Sequence, residues 1–256
     1  MLDPITTIVV LIAVGLGAGT LGSMIGVGGG IIMVPALTFL GLPPAQAAST
    51  SLIAVTSTSV SSTIEYSRQK RIDYRLGLTM SAFAVPGAVL GAILSESVSV
   101  ESFKLYFGIL LMFAGIYVLY KNSILKDSAA KKRSMAYAAV FPATFGAGII
   151  ASLFGVGGGI IFVPLMLLVL GLTMPRAVPT SQLTLMTTSI AGIFAHGLLG
   201  HPDYLQAAAL SAGAFAGAQI GARISRTTKD VLLQRLLGLA LIAVAIEFVI
   251  DWFASR

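Results

Sequence analysis

The 256-residue sequence contains no cysteine, one tryptophan and few charged residues, which make up 10% of the chain. The absence of cysteine excludes disulfides, thiol catalysis and cysteine-ligated metal sites. Soluble domains carry about 25% charged residues, so this composition does not fit a soluble protein. No carboxylate pair, histidine cluster or Ser-His-Asp set has a usable spacing, and there is no dense acidic cluster. We therefore expect no enzyme, no metal site and no cofactor.

Apolar residues are abundant instead, at 56% of the chain, and the mean hydropathy is +0.94. Eight runs approach the roughly 20 residues that a helix needs to cross a bilayer. They lie at about 5–25, 45–66, 76–95, 103–120, 135–153, 177–199, 205–224 and 231–253. The first run follows no basic segment, so we expect a first span and not a removed signal. The sequence predicts an all-α, multi-pass protein of the cell membrane.

The net charge of +6 comes from basic residues in short loops between these apolar runs. Such residues set the orientation of membrane helices. We therefore expect the chain to lie in the lipid bilayer and not to bind nucleic acid. The sequence leaves a homo-oligomer open.

An internal repeat is the strongest pattern in the chain. Residues 26–35 read GVGGGIIMVP and residues 155–164 read GVGGGIIFVP, identical at nine of ten positions. A shift of 130 then pairs Thr50-Ser51 with Thr180-Ser181, and Asp73-Tyr74 with Asp203-Tyr204. The predicted division is a first repeat at 1–122, a basic cytoplasmic connector at 123–134 and a second repeat at 135–256.

The distribution of the sixteen lysines and arginines bears on the orientation of the two repeats. If both repeats point the same way, ten of them lie on the side of the connector. If the second repeat is inverted, fourteen do. The positive-inside rule therefore favours inverted topology, with half-helices in addition to about eight full spans.

The doubled glycine motif precedes a short apolar stretch, which is IIMVPALTFLGL in the first repeat and spans only about 18 Å as a helix. A helix broken at membrane depth is tolerated where it is buried or lines a cavity. A new helix starting after the glycines directs unpaired N–H groups and a positive dipole end toward them, which is an anion site. Helix packing is the alternative, and we expect it for Gly15/Gly19, Gly87/Gly91 and Gly213/Gly217/Gly221.

Hydroxyl-rich stretches follow each glycine motif, at 49–63 and 180–189. Hydroxyls and an amide can bind an oxyanion without adding fixed charge, although Ser and Thr also bond helix carbonyls. We expect Thr50-Ser51 and Thr180-Ser181 at the starts of their helices. The candidate substrate-binding residues are Gly26, Gly28, Gly29, Gly30, Ile31, Thr50, Ser51, Gly155, Gly157, Gly158, Gly159, Ile160, Thr180, Ser181 and Gln182.

Titratable residues within or near the apolar runs are few: Glu65, His196, Glu247 and Asp251. His196 is close to the end of a predicted span, so we expect it at the membrane interface. Asp73 and Asp203 precede predicted helices, where capping explains them. The stretch GAGTLG at 17–22 matches a dinucleotide-binding pattern, but it lies inside an apolar run with no acidic residue at the required distance.

These motifs resemble the TauE/SafE sulfite-exporter family over essentially the whole chain. The resemblance rests on the two-fold repeat, the glycine motif, the Val-Pro that follows it and the Thr-Ser pair. Pro35 and Pro164 match the family motif together with the glycines. The resemblance implies a bacterial or archaeal inner-membrane transporter of small sulfur-containing anions, such as sulfite or organosulfonates, usually directed outward.

Two other functions remain open from the residues alone. The chain could carry another small metabolite, neutral or cationic. It could also be an intramembrane enzyme or a structural membrane protein, in which case His196 or Glu65 would be the first residues to test.

Overall fold

The computed structural model describes residues 3–127, 136–225 and 231–254. Within these ranges the regular structure is helical throughout, which confirms the all-α prediction. The helices are α1 (Pro4–Ile25), α2 (Gly30–Phe39), α3 (Pro44–Arg68), α4 (Tyr74–Ser95), α5 (Val100–Asp127), α6 (Ala136–Leu153), α7 (Gly159–Pro164), α8 (Met174–Leu198), α9 (Tyr204–Ile224) and α10 (Val231–Ala254). A π-helical turn at Leu165–Val169 continues α7.

The order of long and short helices in α1–α5 is repeated in α6–α10. Eight of the described helices have 18 residues or more, and the two short ones, α2 and α7, each follow a glycine motif. This arrangement matches the predicted eight spans plus two half-helices. Three helical segments of the described chain, Pro4–Ile25, Tyr74–Ser95 and Val100–Tyr117, are by length and composition apolar enough to cross a membrane alone.

Helices α3 and α8 form the centre of the bundle and bury many hydroxyl side chains. Helix α9 packs on α1 and α3, and α4 packs on α6 and α8. The antiparallel pair α5 and α10 joins through a cluster of aromatic rings that includes Phe103, Phe107, Phe154 and Phe248. Large apolar side chains such as Phe113, Phe194 and Leu205 are exposed around the outside, as expected of a surface that faces lipid.

Hydrogen bonds between helices fix their relative directions. The hydroxyl of Ser57 donates to the Ser211 carbonyl and that of Ser61 to the Phe215 carbonyl, so α3 and α9 run parallel. In the same way, Thr184 donates to the Gly77 carbonyl and Thr187, one turn later, donates to the Ser81 hydroxyl, so α8 and α4 are parallel.

The equivalent helices α3 and α8 run in opposite directions. Thr56 donates to the Ser189 hydroxyl, whereas Leu52, one turn earlier, lies beside Gly192, one turn later. Helix α1 is parallel to α9, and α9 is parallel to α3, so α1 and α3 run in the same direction and α2 runs back between them. Each repeat therefore contains five segments of alternating direction, and the second repeat is inverted. The predicted inverted topology is confirmed.

The glycines assigned to helix packing do pack. A methyl group at Gly15 or Gly19 of α1 would overlap the backbone of Leu210 or Ala214 in α9, and Gly217 meets the backbone of α1 in return. Gly87 and Gly91 make the equivalent contacts between α4 and α6. Close approach of backbones is the usual role of small residues between membrane helices.

We call the end where α5 finishes and α6 begins the connector end, and the opposite one the terminal end. Helix α5 continues to Asp127, and the rest of the predicted connector, 128–134, lies outside the described residues. The GAGTLG stretch lies inside α1.

Two glycine loops as the candidate substrate site

Residues 26–29 form the first glycine loop and residues 155–158 the second, each between a long helix and a half-helix. Gly26, Gly28 and Gly29 have φ of 88°, 83° and 85°, and their equivalents Gly155, Gly157 and Gly158 have 71°, 80° and 82°. This left-handed region is strained for any side chain beyond glycine. The two loops therefore share one backbone conformation that only their glycines allow.

The two loops run past each other in opposite directions. A methyl group at Gly30 would overlap the carbonyl oxygen of Gly155, and one at Gly159 would overlap the carbonyl oxygen of Gly26. Val55 of α3 and its equivalent Leu185 of α8 cover the contact, lying against both Gly28 and Gly157. The loops thus meet at the centre of the inverted repeat.

Each loop curls over the end of the helix that precedes it. The carbonyl oxygen of Gly22 accepts the N–H groups of Gly26, Val27 and Gly28 at 2.9, 2.9 and 3.2 Å. In the second repeat the carbonyl of Ala151 accepts those of Val156 and Gly157. The sequence did not predict that Gly22 and Ala151 accept these bonds, because the two residues differ in type and are related only by the shift of 129 between the repeats.

The next three N–H groups of each loop have no acceptor among the described residues. They belong to Gly29, Gly30 and Ile31 in the first repeat and to Gly158, Gly159 and Ile160 in the second. All six residues are buried. Buried backbone N–H groups without a partner are rare in folded proteins. The two half-helix N-termini therefore present six free donors, reinforced by the positive ends of the helix dipoles.

The four predicted hydroxyls connect one repeat to the other. Ser51 donates to the Gly155 carbonyl at 3.0 Å, and Ser181 donates to the Gly26 carbonyl at 2.7 Å. Thr50 and Thr180 accept the N–H groups of Asp203 and Asp73, each at 3.0 Å. The prediction that these residues begin their helices was wrong, because Pro44 and Met174 start α3 and α8 about a turn and a half earlier.

Gln182 breaks the symmetry, since its equivalent is Leu52. Its amide nitrogen donates to the Gly22 carbonyl at 3.0 Å. Its amide oxygen is buried and has no hydrogen-bond partner. The site therefore contains one free acceptor beside its six free donors.

The loops are closed against each other in this conformation. Beside Gly29 and Ile31 lies an apolar void of about 20 Å³, lined also by Gly22 and Leu241. This volume holds about one water molecule. An anion larger than water does not fit in this void beside the first loop.

A much larger cavity, of about 710 Å³, opens at the connector end between α4, α6 and the start of α8. Arg75 and Arg176 line it together with Thr79, Thr173 and Asp73. No described acidic side chain forms an ion pair with either arginine. We call this cavity the vestibule. The N–H of Asp73, which lines it, donates to the hydroxyl of Thr180, and the next residue, Ser181, bonds the first glycine loop.

The titratable residues fall into three groups. Asp73 and Asp203 cap α4 and α9 by accepting backbone N–H groups, as predicted. Glu65 pairs with Arg223 at 3.5 Å, and Glu247 is exposed on α10. His196 lies in the last turn of α8, at the predicted end of a span, and its side chain is completely buried between helices.

The family model of the sulfite exporter TauE/SafE matches residues 11–248. The chain belongs to the TauE/SafE family. A probable membrane transporter protein of Bacillus subtilis, YunE, is 32% identical over 96% of this chain and 99% of its own length. A probable membrane transporter protein of Haemophilus influenzae is 25% identical over 97% and 98%. No solved structure matches the chain.

Relatives also come from archaea. A probable membrane transporter protein of Methanocaldococcus jannaschii is 30% identical over 73% of this chain and 71% of its own length. Family membership together with the apolar helix bundle establishes a multi-pass membrane transporter.

Proposed function

We propose that this transporter carries a small sulfur-containing anion, such as sulfite or an organosulfonate, bound between the two glycine loops. The observation that carries the proposal is the set of six buried N–H groups without acceptors. An oxyanion supplies several acceptor oxygens at once, and it suits two positive helix ends that face each other. The family name supports the sulfur chemistry.

The charge distribution supports an anion that approaches from the connector end. Of the described lysines and arginines, only Lys104 lies at the terminal end. The others lie at the connector end: Arg68, Lys70, Arg71, Arg75, Lys121, Lys126, Arg176, Arg223 and Arg235. By the positive-inside rule the connector end is cytoplasmic. The vestibule with Arg75 and Arg176 then collects anions from the cytoplasm, as an exporter requires.

Transport requires the closed loops to open toward one side at a time. The inverted repeats supply two equivalent conformations, in which one repeat rocks against the other around the loops. The contacts of Gly30 with Gly155 and of Gly159 with Gly26 lie where this motion must separate the repeats. The anion then exchanges its water for the free N–H groups of one loop or both.

The test is the thermal stability of the purified protein in detergent with sulfite, sulfate, thiosulfate, sulfoacetate, taurine, chloride and choline. A ligand that binds the folded state raises the Tm in proportion to its saturation. We expect a shift with at least one sulfur oxyanion and none with choline. Efflux of the same anion from loaded proteoliposomes then checks transport.

The matched variants are Gly29→Val and Gly158→Val, which place a branched side chain at a φ of 85° or 82°. Both should abolish the anion-dependent shift and the efflux while the protein still reaches the membrane. Retained efflux in both variants contradicts the site. A shift with choline or with a neutral metabolite alone contradicts the anion.

A further inference from the structure

Two histidines and a glutamate form a chain at the terminal end that the proposed anion site does not use. His196 of α8 is fully buried, and its Nε2 lies 3.1 Å from the carbonyl oxygen of Ser152. Its Nδ1 lies 2.9 Å from Nδ1 of His201, in the turn before α9. Nε2 of His201 lies 3.6 Å from a carboxylate oxygen of Glu96, whose side chain is half-exposed. The chain thus leads from solvent to the buried ring.

The hydrogen-bond partners determine where protons reside. A carbonyl only accepts, so Nε2 of His196 carries a hydrogen in every protonation state. Nδ1 of His196 then either accepts from Nδ1–H of His201 or donates to it. The two Nδ1 atoms therefore share one proton. When the shared proton is on Nδ1 of His201, a further proton can bind Nε2 of His201, beside Glu96. When the shared proton is on Nδ1 of His196, both nitrogens of the buried His196 ring carry a proton and that ring is the cation.

The equivalent position in the first repeat has no group that titrates near neutral pH. Tyr66 is the equivalent of His196, and its hydroxyl donates to the carbonyl of Ser23, the equivalent of Ser152, at 2.9 Å. Arg71 is the equivalent of His201, and its guanidinium stacks over the Tyr66 ring at 5.2 Å. Each repeat thus has an aromatic ring that bonds a carbonyl near the end of its first helix. The residue beside that ring is the permanently charged Arg71 in the first repeat and the titratable His201 in the second.

The other elements around His196 supply no further charge among the described residues. Helix α6 contributes the Ser152 carbonyl and the Ser152 hydroxyl, which is buried without a partner. Helix α3 contributes the apolar Leu52, which lies beside Gly192 one turn before His196, and the hydroxyl of Tyr204 at the start of α9 lies near Gly197. Among the described residues, His201 is thus the titratable side chain that contacts the ring, and Glu96 pairs with His201.

We propose that His196 and His201 bind the proton that is coupled to transport, and that proton binding and anion binding strengthen each other. This inference rests on the proposed function. A cationic His196 lies at the C-terminal end of α6, where the helix dipole favours positive charge. Ser152 precedes Gly155 by three residues, so the charge also attracts an anion at the second glycine loop.

The proton balance of the step is simple. A proton from water binds Nε2 of His201 beside the Glu96 carboxylate, and Nδ1–H of His201 passes its proton to Nδ1 of His196. Nothing is oxidised or reduced. By linkage, the factor by which the proton strengthens anion binding equals the factor by which the anion strengthens proton binding. The state with bound anion therefore also holds the proton, and in this conformation the proton site opens at the terminal end.

The test measures binding and flux as functions of pH, with sulfite and sulfoacetate as probes; sulfoacetate keeps its sulfonate charge throughout. Between about pH 5.5 and about pH 8, on either side of the ordinary histidine pKa of about 6.5, the affinity should fall as pH rises. We expect a fall of about five-fold or more, the lower range of allosteric coupling. An imposed sulfoacetate gradient should also move protons in the same direction across proteoliposome membranes.

The matched variant is His196→Tyr with His201→Arg, which copies the residues of the first repeat. It should bind sulfoacetate with one affinity across the pH range and move no protons with it. His201→Gln keeps the buried ring, changes only a residue near the surface, and should weaken the pH dependence in the same sense. Tyr66→Phe serves as the control and should keep the wild-type pH profile.

Two results overturn the proposal. Sulfoacetate affinity that does not change with pH in the wild type, with efflux that carries no protons, rejects the coupling and leaves anion transport intact. Retained pH dependence in both histidine variants assigns the proton to other groups. If no anion binds at any pH, the proposed function itself fails, and the coupling with it.

Discussion

At the connector end a tyrosine and an arginine hold the last turn of α1, whereas at the terminal end two histidines hold the last turn of α6. The glycine loops that follow these turns have the same backbone, with three left-handed glycines in each. The loops touch each other at the centre of the repeat, so a change in one must fit the other. Residues farther from that contact are free to differ, and it is there that Tyr66 and His196 have diverged.

The vestibule shows the same divergence. Arg75 and Arg176 line the cavity at the connector end. A shift of 130 pairs Arg75 with Leu205 and Arg176 with Gln46, so the equivalent region at the terminal end has neither cation. Two identical loops in an inverted repeat cannot tell one side of the membrane from the other. The surrounding residues supply that distinction, with cations on one side and proton-binding groups on the opposite one.

The largest effect should come from forcing the loops apart. Gly30→Ala or Gly159→Ala places a methyl group against the backbone of the opposite loop, at a helical position where backbone strain is absent. Overpacking of this kind costs about 1–3 kcal/mol. Each variant should lower the Tm and abolish transport. Equal losses from both would show that the loops act as one unit.

The controls are Gly17→Ala and Gly146→Ala, an equivalent pair in α1 and α6 with nothing within 4 Å of the added methyl group. Alanine in place of a mid-helix glycine stabilises by about 0.5–1 kcal/mol. Both variants should keep transport and hold or raise the Tm. A loss of transport in these controls would mean that the α1 and α6 backbones, and not the loop contact, control the activity.

The next effect comes from the paired serines. Ser51→Ala and Ser181→Ala each leave a buried loop carbonyl without its hydroxyl donor, at a cost of about 1–3 kcal/mol. Because the two bonds are equivalent, the two variants should lower the Tm by similar amounts. If one variant lowers the Tm by more than about twice as much as the other, the stability depends more on that serine's hydrogen bond between the repeats.

The sequence predicted the helices, the inverted repeat and the loops, because each rests on a local pattern. Apolar runs approach the length of a span, lysines and arginines mark one side, and consecutive glycines in a membrane helix require a reason. The caps at Asp73 and Asp203 were predictable for the same cause, since a cap depends on adjacent residues alone.

The contacts between the repeats could not be predicted from one sequence. Ser51 was expected to reach a substrate, and it bonds the carbonyl of Gly155, 104 residues away. His196 was expected at an interface because its distance from the end of an apolar run was the only guide. Its burial depends on α6 and on the turn at His201, which no spacing along the chain reveals.

A smaller effect should come from the vestibule. Arg75→Gln and Arg176→Gln together remove two exposed cations from the cavity without touching the loops. Anions should then reach the site more slowly, so the KM for anion efflux should rise several-fold while kcat stays near the wild-type value. The rise should shrink at high salt, which screens exposed charges. Lys70→Gln, at the same end but outside the cavity lining, should leave the KM unchanged.

The smallest change in stability should come from Gln182→Leu, which copies Leu52. The Gly22 carbonyl still accepts three N–H groups, and the variant also removes a buried amide oxygen that has no partner. Loss of the hydrogen bond to Gly22 destabilises the fold, whereas removal of the unpaired buried oxygen stabilises it, so the Tm should change little. Transport is the informative measurement, because the free oxygen suits a substrate with a donor group of its own. If the variant discriminates less between taurine, which carries an ammonium group, and sulfoacetate, Gln182 contacts the substrate. Unchanged selectivity would show that the amide serves only to hold the end of α1.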